Sequence, residues 1–303
     1  MKIVWSPGYH LDIGSHVWPT EKYDRIRERL LADGRVGPDA FVEAEPASWD
    51  DLALVHTLDY LGKVRAGTLT PGEVRRLEIP ALPALTEGFR LMAGGTLGAA
   101  RLALDEGVAV HLGGGLHHAF AGHGEGFCLF NDVAVAIRRL ARDGRLARAA
   151  VVDCDVHQGN GTATIFQGDP SVFTFSIHQQ HNYPLDKPES DLDIGLPDGA
   201  RDETYLHDLE LALPEVMASR PDLVCYLAGA DPFEHDQLGG LRLSIEGLRH
   251  RDRLVLQAAG RVPVVIVLAG GYARQLDETV TIHTNTVIEA LARGAPDRLA
   301  TGG

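Results

Sequence analysis

Val151-Val152-Asp153-Cys154-Asp155-Val156-His157-Gln158-Gly159-Asn160-Gly161 is the stretch around which the chain is organised. An apolar run, 149–152, ends abruptly in two carboxylates and an imidazole at alternate positions. An apolar site cannot solvate an ionised group, so such a group needs a partner or a metal there. Alternate residues of an extended chain point to one side. Asp155 and His157 are therefore expected to aim at one point, with Asp153 just behind them. The stretch reads as half of a metal site at the end of a buried strand.

Working outward, the same punctuation recurs. Apolar runs at 3–5, 108–112, 171–177, 223–228 and 264–268 have the length and bounding residues of strands. Between them, 21–31, 84–106, 132–142, 203–219, 245–259 and 279–292 carry helical spacing, and a further helix opens at Ser48. Pro214 is expected to kink or split the 203–219 helix. Residues 37–47 read as irregular, and 68–83 as a polar, proline-punctuated surface loop. Continuous apolar strands alternating with helices imply one predominantly parallel sheet covered on both faces. The expectation is a three-layer α/β/α architecture in a single domain, 1–303, with a Gly/Pro-rich tail from about 295 that frays.

Bulk properties exclude several classes. A chain of 303 residues that is 45% hydrophobic and 23% charged has a globular composition. A net charge of −14 argues against a direct nucleic-acid binder and against an electrostatic hold on anionic membranes. No apolar run approaches the ~18–20 residues that a membrane span needs. Cys128, Cys154 and Cys225 are too scattered for a disulfide framework or a cysteine zinc site. The opening residues run directly into a strand, so no signal peptide is expected and a reducing cytoplasm is the simplest compartment.

The unusual residues cluster by position. His117 and His118, Asp155 and His157, Asp231, and Tyr272 all fall just past the C-terminal ends of expected strands. Open parallel sheets bind their ligands at that edge. Asp155, His157 and Asp231 supply two carboxylates and one imidazole, a set that leaves open positions on a zinc ion. His117 and His118 supply proton transfer near neutral pH, and Tyr272 a neutral donor for a developing oxyanion. The parts add up to metal-assisted hydrolysis of an amide or related acyl group. Gly113, Gly114 and Gly115 are not a phosphate cradle, because no Lys-Ser/Thr follows them. His178 and His181 are candidates for the rim of the site. His10, His16, His56, His207, His235, His250 and His283 are expected at the surface or behind it.

Five segments resemble the histone deacetylase superfamily: Leu112-Gly113-Gly114-Gly115-Leu116-His117-His118-Ala119, Gly126-Phe127-Cys128-Leu129-Phe130-Asn131-Asp132, the run from Val152 to Thr162, Ala228-Gly229-Ala230-Asp231 and Ala269-Gly270-Gly271-Tyr272. They occur in family order and span nearly the whole chain. His157-Gln158-Gly159-Asn160-Gly161, with Leu243-Ser244-x-Glu246-Gly247-Leu248, looks closest to the class IV, histone deacetylase 11-like branch.

The resemblance implies an arginase/deacetylase fold, one zinc on Asp155, His157 and Asp231, and His118 as general base and acid with His117 as its electrostatic partner. It implies that Asp153 orients His117 and, with Ser176 and the backbone near Asp155, His157 and Ile177, lines a structural potassium site. Gly126 and Phe127 match the lining of an acyl-lysine tunnel, and Tyr183 is placed opposite Phe127. The substrate implied is an acylated lysine, acetyl or longer fatty acyl, or another acylated amine such as an acetylpolyamine. The oligomeric state stays open. Asn160 is a departure: class I relatives carry an aspartate behind the general base. A neutral amide stabilises imidazolium less than a carboxylate does, so His118 is expected to have a lower pKa than in a charged dyad. A binuclear manganese ureohydrolase is disfavoured, because Gln158 and Asn160 stand where further carboxylates are needed. A non-catalytic binding protein is disfavoured because Asp155, His157, Asp231 and Tyr272 are all present.

Overall fold

Eight segments form strands, six of them the apolar runs, and all eight lie parallel in one sheet. A computed structural model describes residues 1–294; the tail expected at about 295–303 lies outside the described residues. The strands are β1 (Lys2–Trp5), β2 (Phe41–Glu43), β3 (Val108–His111), β4 (Ala149–Asp153), β5 (Val172–Gln179), β6 (Leu192–Leu196), β7 (Leu223–Leu227) and β8 (Val264–Val267). Their order is β2-β1-β3-β8-β7-β4-β5-β6, with parallel pairing throughout.

Alternation along each central strand divides the core into two layers. Val151, Cys225, Leu227, Val265 and Val267 face one core, packed by Phe89, Ala93, Ala100, Val133 and Ile137. These side chains come from α5 (Pro83–Glu106) and α6 (Asp132–Arg142). Ala150, Val152, Val224, Tyr226, Val264 and Ile266 face the other, packed by Ile26, Leu209, Leu248, Val255 and Val287. Those belong to α1 (Lys22–Ala32), α8 (Asp202–Ala218), α9 (Ile245–Ala258) and α10 (Leu276–Gly294). The expected three-layer α/β/α architecture is present. No helix of the described residues is long and apolar enough to cross a membrane.

Several local expectations need correction. The stretch 37–47 contains β2, and β6 was not anticipated at all; both are edge strands with few buried positions, so they lack a strong apolar pattern. The loop expected at 68–83 contains α4 (Pro71–Leu77). Its start was legible, because Thr70 and Glu73 form a capping box and Pro71 sits at the first turn. The short helices α2 (Trp49–Leu52), α3 (Leu58–Ala66) and α7 (Asn160–Phe166) complete the set. Pro214 does not split α8, which runs unbroken from Asp202 to Ala218. Pro214 is exposed, while Leu209, Ala212, Leu213 and Val216 are buried, so one lost backbone donor is outweighed by packing.

Parallel pairing brings every strand's C-terminal end to one edge. The four strands that lead into the singled-out residues, β3, β8, β7 and β4, are neighbours at the centre of the sheet. Residues distant in sequence therefore emerge side by side.

Candidate active site

The ladder between β4 and β7 ends with Cys154 N donating to Leu227 O at 3.1 Å. Beyond it the chain bends rather than continuing as a strand. Asp155 N donates to Asp153 Oδ1 at 3.1 Å, and His157 N to Asp155 Oδ1 at 3.0 Å. Asp155 and His157 do converge, but through these two successive side-chain turns and not through strand alternation. The extended-chain expectation is corrected on that point.

His157 Nδ1 lies 3.0 Å from Asp155 Oδ1 and 3.6 Å from Asp231 Oδ2. Donor atoms of Asp155, His157 and Asp231 all fall within 4.8 Å of one another, and all three residues are buried. Asp155 Oδ2 accepts Gly270 N at 2.9 Å, and Asp231 Oδ1 accepts Val156 N at 2.9 Å. Asp231 Oδ2 is buried with no hydrogen-bond partner. An orphaned carboxylate oxygen beside another carboxylate is costly unless a cation completes the site. Burial and the charge of Asp155 push Asp231 up to about 7. Burial alone would also raise Asp155, but His117 and His157 hold it below the usual carboxylate range. Burial opposes charge on His157, yet Asp155 and Asp231 outweigh it and lift the imidazole to about 10. It is the close convergence of two carboxylates and an imidazole, all buried, that could hold a metal ion.

The two histidines follow the Gly113-Gly114-Gly115 turn, where Gly114 and Gly115 have φ of 72° and 78°. Asp132, fully buried at the start of α6, accepts Gly115 N at 3.0 Å and Leu116 N at 2.7 Å. Behind it, Thr96 donates to Asp132 and accepts from His111 Nδ1, while His111 Nε2 accepts from Tyr9. This buried chain fixes the turn and so aims both imidazoles.

The two rings lie 4.1 Å apart between centroids, yet their environments differ. His117 Nδ1 donates to Asp153 Oδ2 at 2.6 Å. Burial opposes its charge, but Asp153 and Asp155 raise it to about 9. His118 Nδ1 donates to the amide oxygen of Asn160 at 2.7 Å. Burial, then the charges of His117 and His157, holds His118 well below its ordinary value. One imidazole is thus cationic and its neighbour neutral, with Nε2 of His118 left as the bare nitrogen.

Two carboxylates that sequence reasoning missed support this arrangement. Asn160 Nδ2 donates to Glu125 Oε1 at 2.8 Å, and the same oxygen accepts the Tyr183 hydroxyl at 2.7 Å. The neutral amide therefore has a negative charge one step behind it. Asp236 accepts Tyr272 N at 2.7 Å, Leu238 N at 2.8 Å and Gly239 N at 3.0 Å. It clamps Tyr272 to the loop that follows β7. No spacing rule links residues 35 or 36 positions apart, so neither role carried a sequence signal.

A cavity of about 200 Å³ opens onto His118, Asp155, His157 and Tyr272, with Gly126, Phe127 and Tyr183 also in its wall. Phe127 lies between Trp18, stacked at 6.5 Å, and Tyr272, edge-on at 6.1 Å. The Tyr183 ring stands edge-on to His118 at 4.9 Å. Burial pushes the Tyr272 phenol well up, so it is a neutral donor. Glu78, Trp18 and Leu238 also line the cavity. Asp153 and Ser176 pair in register across β4 and β5, and Ser176 Oγ lies 2.9 Å from His178 Nδ1. His178 is buried, His181 exposed, and neither lines the cavity. His56 and His283 are fully buried. All three cysteines are buried and free.

Comparison with known proteins agrees with this architecture. A family model described as the histone deacetylase domain matches residues 16–287. The chain is 42% identical over 286 residues to an uncharacterised protein of Picosynechococcus sp., covering 93% of this chain and 95% of the relative. It is 32% identical over 292 residues to histone deacetylase 2 of Arabidopsis thaliana, covering 90% of this chain and 75% of that one. The crystal structure of the HDA15 HD domain is similar with a TM-score of 0.77 at 23% identity, over 96% of this chain and 91% of that chain. That likeness shows the arginase/deacetylase fold. With sequence, sheet order and family match in agreement, the chain belongs to the histone deacetylase family.

Proposed function

We propose that the chain is a zinc-dependent deacylase hydrolysing the amide of an acyl-lysine, acetyl or longer fatty acyl, or of a similar acylated amine. The observation that carries this reading is the buried trio Asp155, His157 and Asp231, with its orphaned Asp231 Oδ2, beside His118 and Tyr272. Two carboxylates and one imidazole suit zinc with positions left open. When bound, the ion supplies a Lewis acid that makes water nucleophilic at neutral pH and polarises the acyl carbonyl.

The chain's own residues do the rest. His118 donates Nδ1–H to Asn160, so its bare Nε2 takes a proton from the attacking water and later delivers it to the leaving amine. His117, held cationic by Asp153, keeps His118 neutral until that transfer and adds positive potential beside the reacting carbonyl. Tyr272 donates its hydroxyl to the developing oxyanion. Gly126, Phe127 and Tyr183 wall the passage for the substrate's aliphatic stem. Asp153 and Ser176, with the backbone near Asp155, His157 and Ile177, hold a structural potassium ion in this reading. The reading takes 1–303 as a single domain in the cytoplasm, a compartment that suits three free thiols.

Elemental analysis of the purified protein, with turnover of coumarin-linked lysines from acetyl to myristoyl and of acetylated polyamines, tests the proposal. One zinc per chain and amide hydrolysis are expected. Two manganese ions per chain would point to a ureohydrolase, and tight zinc without turnover of any acyl amine would leave a binding protein.

A further inference from the structure

Arg251, on α9, is among the largest side chains with no exposed surface, and nothing in the chemistry above uses it. Its guanidinium joins two segments that the sheet no longer connects. Nη1 donates to Gly229 O at 2.5 Å and lies 3.4 Å from Cys154 O. Nε and Nη2 donate to Asp252 Oδ1 at 3.1 and 2.9 Å. Asp252 in turn accepts the Tyr226 hydroxyl at 2.5 Å and the Thr286 hydroxyl at 2.6 Å. Cys154 immediately precedes Asp155, and Gly229 lies two residues before Asp231. Beyond the last ladder bond, Cys154 N to Leu227 O, Arg251 is the group that grips both carbonyls.

The approach of the two segments is tight. A Cβ at Gly229 would stand 2.8 Å from the Asp155 Cα and 2.8 Å from Asp231 Oδ1. Small relative shifts of these backbones would therefore change the separation of the two carboxylates. Stability alone is a weak reason for such a residue, because a buried ion pair is often no better than apolar packing of the same volume. Arg251 is not among the residues lining the cavity, so it touches neither substrate nor the reacting atoms.

We propose that Arg251, oriented by Asp252, is a positioning residue that presets the spacing of Asp155 and Asp231 and thereby the affinity for a divalent ion. The inference rests on the metal-site reading above. Outer partners of metal ligands commonly contribute 10- to 100-fold in affinity, and a guanidinium holding two ligand-bearing segments fits that role.

The test is zinc affinity, measured by competition with a chromophoric chelator on the full chain. Arg251→Met with Asp252→Asn removes both charges, while the amide oxygen still accepts from Tyr226 and its NH2 donates to Thr286 Oγ1, whose own proton turns to Ile282 O. Zinc affinity is expected to fall about 10- to 100-fold, with far-ultraviolet circular dichroism retained and the zinc-free melting temperature close to wild type. Arg251→Lys should recover part of the loss, because one ammonium reaches one carbonyl but does not bridge two with fixed geometry. Undiminished zinc affinity in the folded double variant overturns the proposal. Should that variant fail to fold, Arg251→Lys alone is decisive: it keeps a cation opposite Asp252 but cannot hold both carbonyls in fixed geometry, and affinity equal to wild type there overturns the idea equally. A wild-type protein that binds zinc but hydrolyses no acyl amine would refute the deacylase reading and leave this inference standing. A wild type that binds no zinc would end both.

Discussion

Asn160→Asp tests how the proposed general base is set. Asn160 Oδ1 accepts from His118 Nδ1 at 2.7 Å. From that contact alone, a carboxylate at 160 should stabilise the imidazolium and raise the His118 pKa. At about 4 Å and an effective dielectric near 20, a pair of opposite charges gains about 4 kcal/mol. That is an upper bound of about 3 pKa units at 1.36 kcal/mol per unit. The other side of residue 160 alters the outcome. Asn160 Nδ2 donates to Glu125 Oε1 at 2.8 Å, so a new carboxylate would meet an existing one at hydrogen-bond distance. Two carboxylates that close share a proton. The pair would keep the single negative charge that Glu125 already carries, moved one residue nearer His118, which is worth about 1 unit on the same arithmetic.

The measurement is kcat/KM against pH from about 5 to 9, whose acid limb reports the free enzyme's base. A raised His118 pKa leaves the imidazole protonated to higher pH, so the acid limb moves upward and activity on the acid side falls. In the wild-type background Asn160→Asp should move the limb by about 1 unit, and in a Glu125→Gln background, where the added charge is unshared, by up to about 3. Equal shifts in both backgrounds would refute the coupling to Glu125. No shift in either would mean that residue 160 does not tune the base.

Gly270→Ala sets a methyl against Asp231 Oδ2 and 2.6 Å from Asp155 Oδ2; loss of stoichiometric metal is expected, and a folded, fully loaded variant would contradict the site. Asp236→Ala strips the acceptor from three backbone amides, Tyr272, Leu238 and Gly239, at about 1–3 kcal/mol for each donor left buried. A lower melting temperature and a fall in kcat exceeding any change in KM should follow, and an unaltered kcat would remove Asp236 from the support of Tyr272. For pH, His56 is neutral, donating Nδ1–H to Phe120 O at 3.0 Å and accepting Asn131 N at Nε2 at 3.1 Å. Burial lowers its pKa from 6.5 to about 4, so the unfolded chain takes the proton first. Stability present above about pH 6.5 should be lost as pH falls toward 4, by on the order of 3 kcal/mol. Urea unfolding of His56→Gln over that window should be flatter than wild type, and an identical slope would show that this histidine is not responsible.

How much of this was legible depended on the range of the interaction. Apolar runs broken by Asp155, by Asp231 and by Gly270-Gly271-Tyr272 are local patterns, and they were enough to locate the central strands and the polar residues at their ends. Edge strands β2 and β6 escaped because half-exposed segments need no apolar pattern. The helix α4 escaped only because its capping box was read as loop composition.

Sequence by itself determined that two carboxylates and an imidazole sit where parallel strands end, because unsolvated charge is tolerated there only with a partner. Tertiary structure decided how they meet. The stretch that begins at Val151 does not aim Asp155 and His157 by strand alternation; it bends twice, each time on an aspartate oxygen. Structure also supplied Glu125 behind Asn160, Asp236 behind Tyr272 and Arg251 across the segments that carry Asp155 and Asp231. Each of these is a hydrogen bond between residues tens of positions apart, and the distance and direction of such a bond exist only once the chain has folded.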